Sequence, residues 1–211
     1  MHALQEDPSP AAPLPLRWSH DPLRPGAIGR WLLAGGRAAF GRAPVWSADL
    51  QATPLALAWL IALAVGLEVL LGRLYVIGPA VFSPQALVVG WVDTLALAWL
   101  AFLVRSPQVS AAHVLAVSLA LGWWISLLTG ACWVAALHAG LWDVVPSDSV
   151  WPAVLWWGTL AWWLLAQCAL FTRQAHGHAG VAGLSLAVLL AVQALALRWP
   201  LPDLWAASSP S

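Results

Sequence analysis

The stretch Leu55–Tyr75, "LALAWLIALAVGLEVLLGRLY", decides how the rest of the chain is read. It is one apolar run of helical length, yet it carries a carboxylate, Glu68, five residues before a guanidinium, Arg73. Each residue of an α-helix advances about 1.5 Å, so about 20 of them cross a hydrocarbon layer ~30 Å thick. Four later runs reach the same length. The predicted spans are about 54–73, 85–104, 113–138, 151–172 and 180–199, separated by the breaker-rich segments "VIGPAVFSP", "RSPQVSA", "LWDVVPSDS" and "RQAHGH". Transmembrane strands would alternate apolar and polar residues over about ten positions, and these runs do not.

Composition agrees with this reading. Of 211 residues, 61% are hydrophobic and only 9% charged, where a soluble domain carries about a quarter charged. The predicted fold class is therefore all-α, a polytopic integral membrane protein with a bundle of five transmembrane helices over residues 53–204. Residues 1–50 form a Pro-rich cytoplasmic tail, whose opening lacks the basic start and apolar run of a cleavable signal. Inside that tail, 30–42 reads "RWLLAGGRAAFGR". Leu32, Leu33 and Phe40 fall near one side of a helix and Arg30 and Arg37 on the other, as in a helix lying on the membrane surface. A basic flexible linker is the alternative, because Gly35 and Gly36 weaken a helix.

Net charge is zero, from nine arginines against nine acids, so no nucleic-acid partner is expected. The placement of the arginines is informative, since Arg resists translocation and acids count for little. Arg17, Arg24, Arg30, Arg37 and Arg42 precede the first span, Arg105 lies in the second loop and Arg173 in the fourth. This predicts the N-terminus inside and the C-terminus outside, with Arg73 and Arg198 as minority exceptions. An all-Arg basic set beside so much Ala, Leu and Trp suggests a GC-rich bacterial genome and hence the bacterial inner membrane. The 17 tryptophans fit two interfacial belts, Trp46, Trp59 and Trp99 at the inner face and Trp91, Trp142, Trp151, Trp199 and Trp205 at the outer. The pairs Trp123-Trp124 and Trp162-Trp163 fall nearer mid-depth and read as packing bulk.

An ionisable side chain at the centre of a span costs about 2.5 to 3.5 kcal/mol on insertion scales. Glu68 lies about 8 Å inside the outer end of the first span and Asp93 about 12 Å inside that of the second, so they share a depth on sequential helices. Glu68 and Arg73 are five residues apart, which rules out a regular i,i+4 bridge. Arg73 is instead expected to reach Asp93 across the hairpin. Gln193, with Thr129, Cys132 and Thr159, also falls in the outer half. The candidate site is thus an intramembrane polar cluster of Glu68, Arg73, Asp93 and Gln193, read as a structural cluster, an ion-handling site or a carboxylate reaching the headgroups. Each hydroxyl has an ordinary account, since Thr bonds its own helix and one Gln joins two helices.

Nothing else carries recognisable chemistry. Cys132 and Cys168 stand about 15 Å apart in depth and are expected as free thiols. His176 and His178 are too few for a closed metal site. No phosphate-binding, metalloprotease or hydrolase motif is present. No catalytic residue, cofactor or metal is therefore expected. The expected partners are the lipid bilayer and other membrane subunits or a second copy of the chain, because small residues let membrane helices approach closely.

The layout, with a third span introduced by "SPQVSAAHVLAVSLALGWW", resembles the Yip1-type family of five-span membrane proteins. The resemblance covers about residues 53–199. It implies a cytoplasmic tail, five spans and an external C-terminus; eukaryotic members act in vesicle traffic with small GTPases, and no functional residue carries over. The sequence reading is a non-enzymatic subunit, scaffold or membrane-organising factor. A small transporter or channel component using the acids is second, and an integral-membrane enzyme third.

Overall fold

The computed structural model describes residues 26–44, 50–106, 109–141, 150–198 and 203–207. The expected tail up to residue 25, the loop acids Asp143 and Asp148, and Trp46, Trp142 and Trp199 lie outside them. The elements run α1 (Ala27–Ala39), α2 (Pro54–Tyr75), β1 (Ala80–Phe82), a 3-10 turn (Pro84–Leu87), α3 (Val88–Leu103), α4 (Ala111–His138), α5 (Trp151–Gln174), α6 (Ala179–Arg198) and β2 (Trp205–Ala207). The chain is mostly helical, and five helices are long and apolar enough to cross a membrane.

Local chemistry sets the helix ends. At α2, Thr53 Oγ1 accepts a hydrogen bond from the Ala56 amide at 3.1 Å, and Pro54 stands at the first turn where its missing N–H is harmless. Pro84 opens the 3-10 turn, which leads directly into α3 at Val88, so the second apolar span runs Pro84–Leu103 against the predicted 85–104.

α4 is the mast of the bundle. Half of its apolar window is buried, against 11% for α6, because α1, α2, α3 and α5 all pack on it. Two close approaches position its neighbours. A Cβ on Gly35 would overlap Ala120, so the absence of a side chain lets α1 touch the α4 backbone. A Cβ on Gly130 would overlap Leu71 and lie 3.2 Å from the Tyr75 hydroxyl, so α2 crosses α4 at close range. Ser118 and Gln167, both fully buried, tie α4 to α5: Ser118 Oγ donates to Gln167 Oε1 at 2.7 Å, and Gln167 Nε2 donates to the Ser118 carbonyl at 3.2 Å.

The 30–42 region is helical over Ala27–Ala39, but the face it buries against protein is not the expected Leu32, Leu33 and Phe40 side: Leu33 and Phe40 stand exposed and Leu32 is only partly buried. Trp31, Ala34, Ala38 and Ala39 are buried with Ala116, Val117, Ala120 and Leu121 of α4. At its C-terminus the carbonyls of Arg37, Ala38 and Ala39 all find partners. The amide of Arg42 donates to Arg37 O at 2.8 Å and that of Gly41 to Ala38 O at 3.0 Å, the Schellman arrangement, with Gly41 at φ 70°. Phe40 N reaches Gly36 O, and Ala39 O accepts from the Trp162 indole at 2.8 Å. Arg173 of α5 then donates to Gly41 O at 2.6 Å, and Trp124 of α4 to Leu32 O at 2.7 Å.

Two short strands add to the predicted helices. β1 follows α2, β2 follows α6, and they pair antiparallel in the register Ala80↔Ala207, Val81↔Ala206, Phe82↔Trp205. The C-terminal end of α4 meets the same end of the bundle, where His138 Nε2 lies 3.1 Å from Leu74 O. Outside the core, large apolar side chains such as Leu70, Leu95, Phe102, Leu165 and Leu197 stand exposed. A surface so apolar suits hydrocarbon and not water.

Candidate functional cavity

Between α2, α3, α4, α5 and α6 lies a cavity of about 950 Å³. The tight crossing of α2 on α4 at Gly130 forms one wall, and α3 and α6 form another. Glu68 of α2, Asp93 of α3 and Gln193 of α6 all line it. Gln193 Nε2 donates to both carboxylate oxygens of Asp93, at 3.0 and 3.2 Å, so one amide links α6 to α3. Glu68 is exposed at the cavity and close enough to Asp93 for their charges to interact. It has no hydrogen-bond donor among the described residues.

Arg73, expected at Asp93, is engaged elsewhere. Its two terminal nitrogens donate to the carbonyls of Val76 at 2.8 Å and Gly78 at 3.0 Å, and its guanidinium carbon stands 5.9 Å from the centre of the Trp205 ring. The reason is local. The α2 helix ends two residues after Arg73, leaving unpaired carbonyls within reach of its own side chain. Of the predicted cluster, Glu68, Asp93 and Gln193 therefore come together at one cavity, and Arg73 serves the turn beside it.

No known family model, curated protein or solved structure matches this chain. The cavity is thus read from its own chemistry.

Its roof comes from the end of the chain. Trp205 lies on the α2 surface, donating its indole N–H to Val69 O at 3.0 Å and packing its ring 4.9 Å from that of Phe82. Gly72 makes room, since a Cβ there would meet Trp205 Cδ1 at 3.2 Å. Asp203 and Leu204 line the cavity with it. From sequence Trp205 is expected only as an interfacial residue, because nothing in the segment after α6 announces which strand it will pair with.

The other polar groups divide clearly. Thr129 and Thr159 spend their hydroxyls on the carbonyls of Ile125 and Leu155 one turn back, at 2.7 and 2.9 Å. Cys132 and Cys168 are free thiols. His176 takes φ 58° at the α5 C-terminus, where Gly177 N donates to Thr172 O at 2.8 Å, so it closes a turn. Among the described residues, no three His, Cys, Asp or Glu side chains converge as metal ligands.

The tryptophan pairs also divide. Adjacent residues on a helix point about 100° apart. Trp124 and Trp162 grip α1 carbonyls, while Trp123 and Trp163 line the cavity. Neither role is visible in the sequence, which shows only bulk at mid-depth.

Proposed function

We propose that this chain is a multi-pass protein of the bacterial cytoplasmic membrane, with its N-terminus inside and its C-terminus outside. It works there as a non-enzymatic ligand-binding or translocation component. One observation carries the reading: two carboxylates from successive apolar helices, Glu68 and Asp93, line a single large cavity. Ionisable groups held in an apolar helix bundle are expensive, and such groups mark substrate or ion pathways. A large concave site with a few convergent polar groups is where ligands bind. The positive-inside rule supports the orientation, with Arg173 bonded to the α1 terminus and Arg30, Arg37 and Arg42 nearby in sequence.

Comparing small-molecule contents by mass spectrometry puts this reading at risk. Cells producing the wild type and cells producing Glu68→Gln/Asp93→Asn at equal level should differ in at least one class of solute. Identical profiles end the proposal. A periplasm-dependent reporter fused after Ser211 should be active, and activity of a cytoplasmic reporter alone reverses the orientation.

A second reading, a subunit or organising scaffold of a larger assembly in the manner of a Yip1-type bundle, rests on α6. That helix packs on α3 and α5, and Gly180 and Gly183 have no neighbour within 4 Å of a Cβ position. A neighbouring helix can approach closely there. Retention of a partner, or of a second copy, through mild detergent purification supports it; a monomer eluting alone overturns it.

A further inference from the structure

Building on the cavity reading above, we propose that the occupant of this cavity is an organic cation with apolar substituents, such as a quaternary ammonium or phosphonium. The first observation is charge. Among the described residues that line the cavity, three are carboxylates, Glu68, Asp93 and Asp203, and none is Arg or His. The chain holds no lysine at all. Arg73, next in sequence to the lining residue Gly72, is committed to the carbonyls of Val76 and Gly78 and to the face of Trp205. An anion entering here meets no described countercharge on the lining, whereas a cation meets up to three.

The second observation is the wall. Seven lining side chains are Trp or Tyr, among them Trp91, Trp123, Trp133 and Trp156. The face of an aromatic ring carries negative electrostatic potential and attracts cations, most strongly when the cation is desolvated, which is the basis of aromatic cages for quaternary ammonium groups. The same rings supply apolar surface for the cation's substituents. A compact inorganic ion would use neither.

The third is the spacing of the acids. The described carboxylates do not gather into a group that could hold a metal ion. Asp93 has part of its hydrogen-bonding capacity taken by Gln193, and Glu68 stands exposed on a different helix. Two neighbouring carboxylates in a cavity of about 950 Å³, without the third His, Cys, Asp or Glu ligand a metal group needs among the described residues, suit a large cation whose charge is spread or shielded by carbon.

The measurement is equilibrium dialysis on the full chain in detergent, using tetraphenylphosphonium and tetraphenylborate, two ions of the same shape and opposite charge. The wild type should bind the phosphonium and take the borate at least tenfold more weakly. Glu68→Gln/Asp93→Asn should lose at least tenfold in phosphonium affinity while keeping its thermal midpoint within a few degrees. Trp123→Leu, made separately, should weaken phosphonium binding with both acids intact. If borate and phosphonium bind alike, the cavity selects by shape and the cation assignment falls, while the ligand-site reading stands. If neither binds but solute contents still differ between wild type and the double variant, the cation assignment alone is overturned. If neither binds and those contents are identical, both readings fall.

Discussion

Gln193 shares one amide nitrogen between the two carboxylate oxygens of Asp93, at 3.0 and 3.2 Å, and this contact joins α6 to α3. Gln193→Leu removes the donor and leaves Asp93 without it in a half-buried site, at a cost of about 1–3 kcal/mol. Asp93→Asn keeps an oxygen that accepts from Gln193 and should cost less. Thermal unfolding in one detergent checks the order, with Gln193→Leu the lower of the two.

Trp162 closes the last carbonyl of α1. Trp162→Phe keeps most of the ring and deletes the N–H, so the Ala39 carbonyl loses its partner, again a loss of about 1–3 kcal/mol. Trp99→Phe is the comparison, since Trp99 is 49% exposed and should shift stability by no more than about 0.5 kcal/mol. Limited proteolysis of the segment after α1 should be faster in Trp162→Phe alone.

Gly35 and Gly29 share one helix and predict opposite outcomes. Gly35→Ala drives a methyl into Ala120 and should cost about 1–3 kcal/mol through overpacking. Gly29→Ala meets nothing within 4 Å and should gain up to about 1 kcal/mol of helix propensity. Equal midpoints for the two variants are inconsistent with α1 docked on α4.

The buried pair Ser118 and Gln167 lends itself to a double-mutant cycle. Ser118→Ala strands the Gln167 amide oxygen, and Gln167→Leu strands the serine hydroxyl; each should cost about 1–3 kcal/mol, while the double variant should cost less than the sum of the two. Additive losses would mean that the two side chains act independently.

His176 occupies the left-handed region at φ 58°. An L side chain there costs roughly 1–2 kcal/mol, part of which glycine recovers against its larger unfolded-state entropy. His176→Gly should raise the thermal midpoint and His176→Val should lower it.

The helices were legible because a bilayer imposes a length and an apolar requirement that each run either meets or fails, as "LALAWLIALAVGLEVLLGRLY" does. Glu68, Asp93 and Gln193 were legible as a group because depth along a helix can be counted at a fixed rise per residue, and they do line one cavity. Arg73 was misassigned because a long side chain near a helix end has carbonyls of its own turn to satisfy, and depth counting ignores them. Trp205, Asp203, Ser118 and the indoles of Trp124 and Trp162 acquire their roles from partners far away in sequence, such as Val69 for Trp205 and Ala39 for Trp162.

By itself, the sequence determined which segments are helices fit for an apolar solvent and which polar residues share a depth, since both follow from local composition and a constant rise. Only the tertiary structure decided what those residues face. That depends on the rotation of each helix about its axis and on where two backbones can touch, which Gly35 against Ala120 and Gly130 against Leu71 allow and larger residues would forbid. Glu68 changed accordingly, from a charge stranded in a hydrocarbon run to part of the lining of a cavity that it shares with Asp93, Gln193 and several tryptophans.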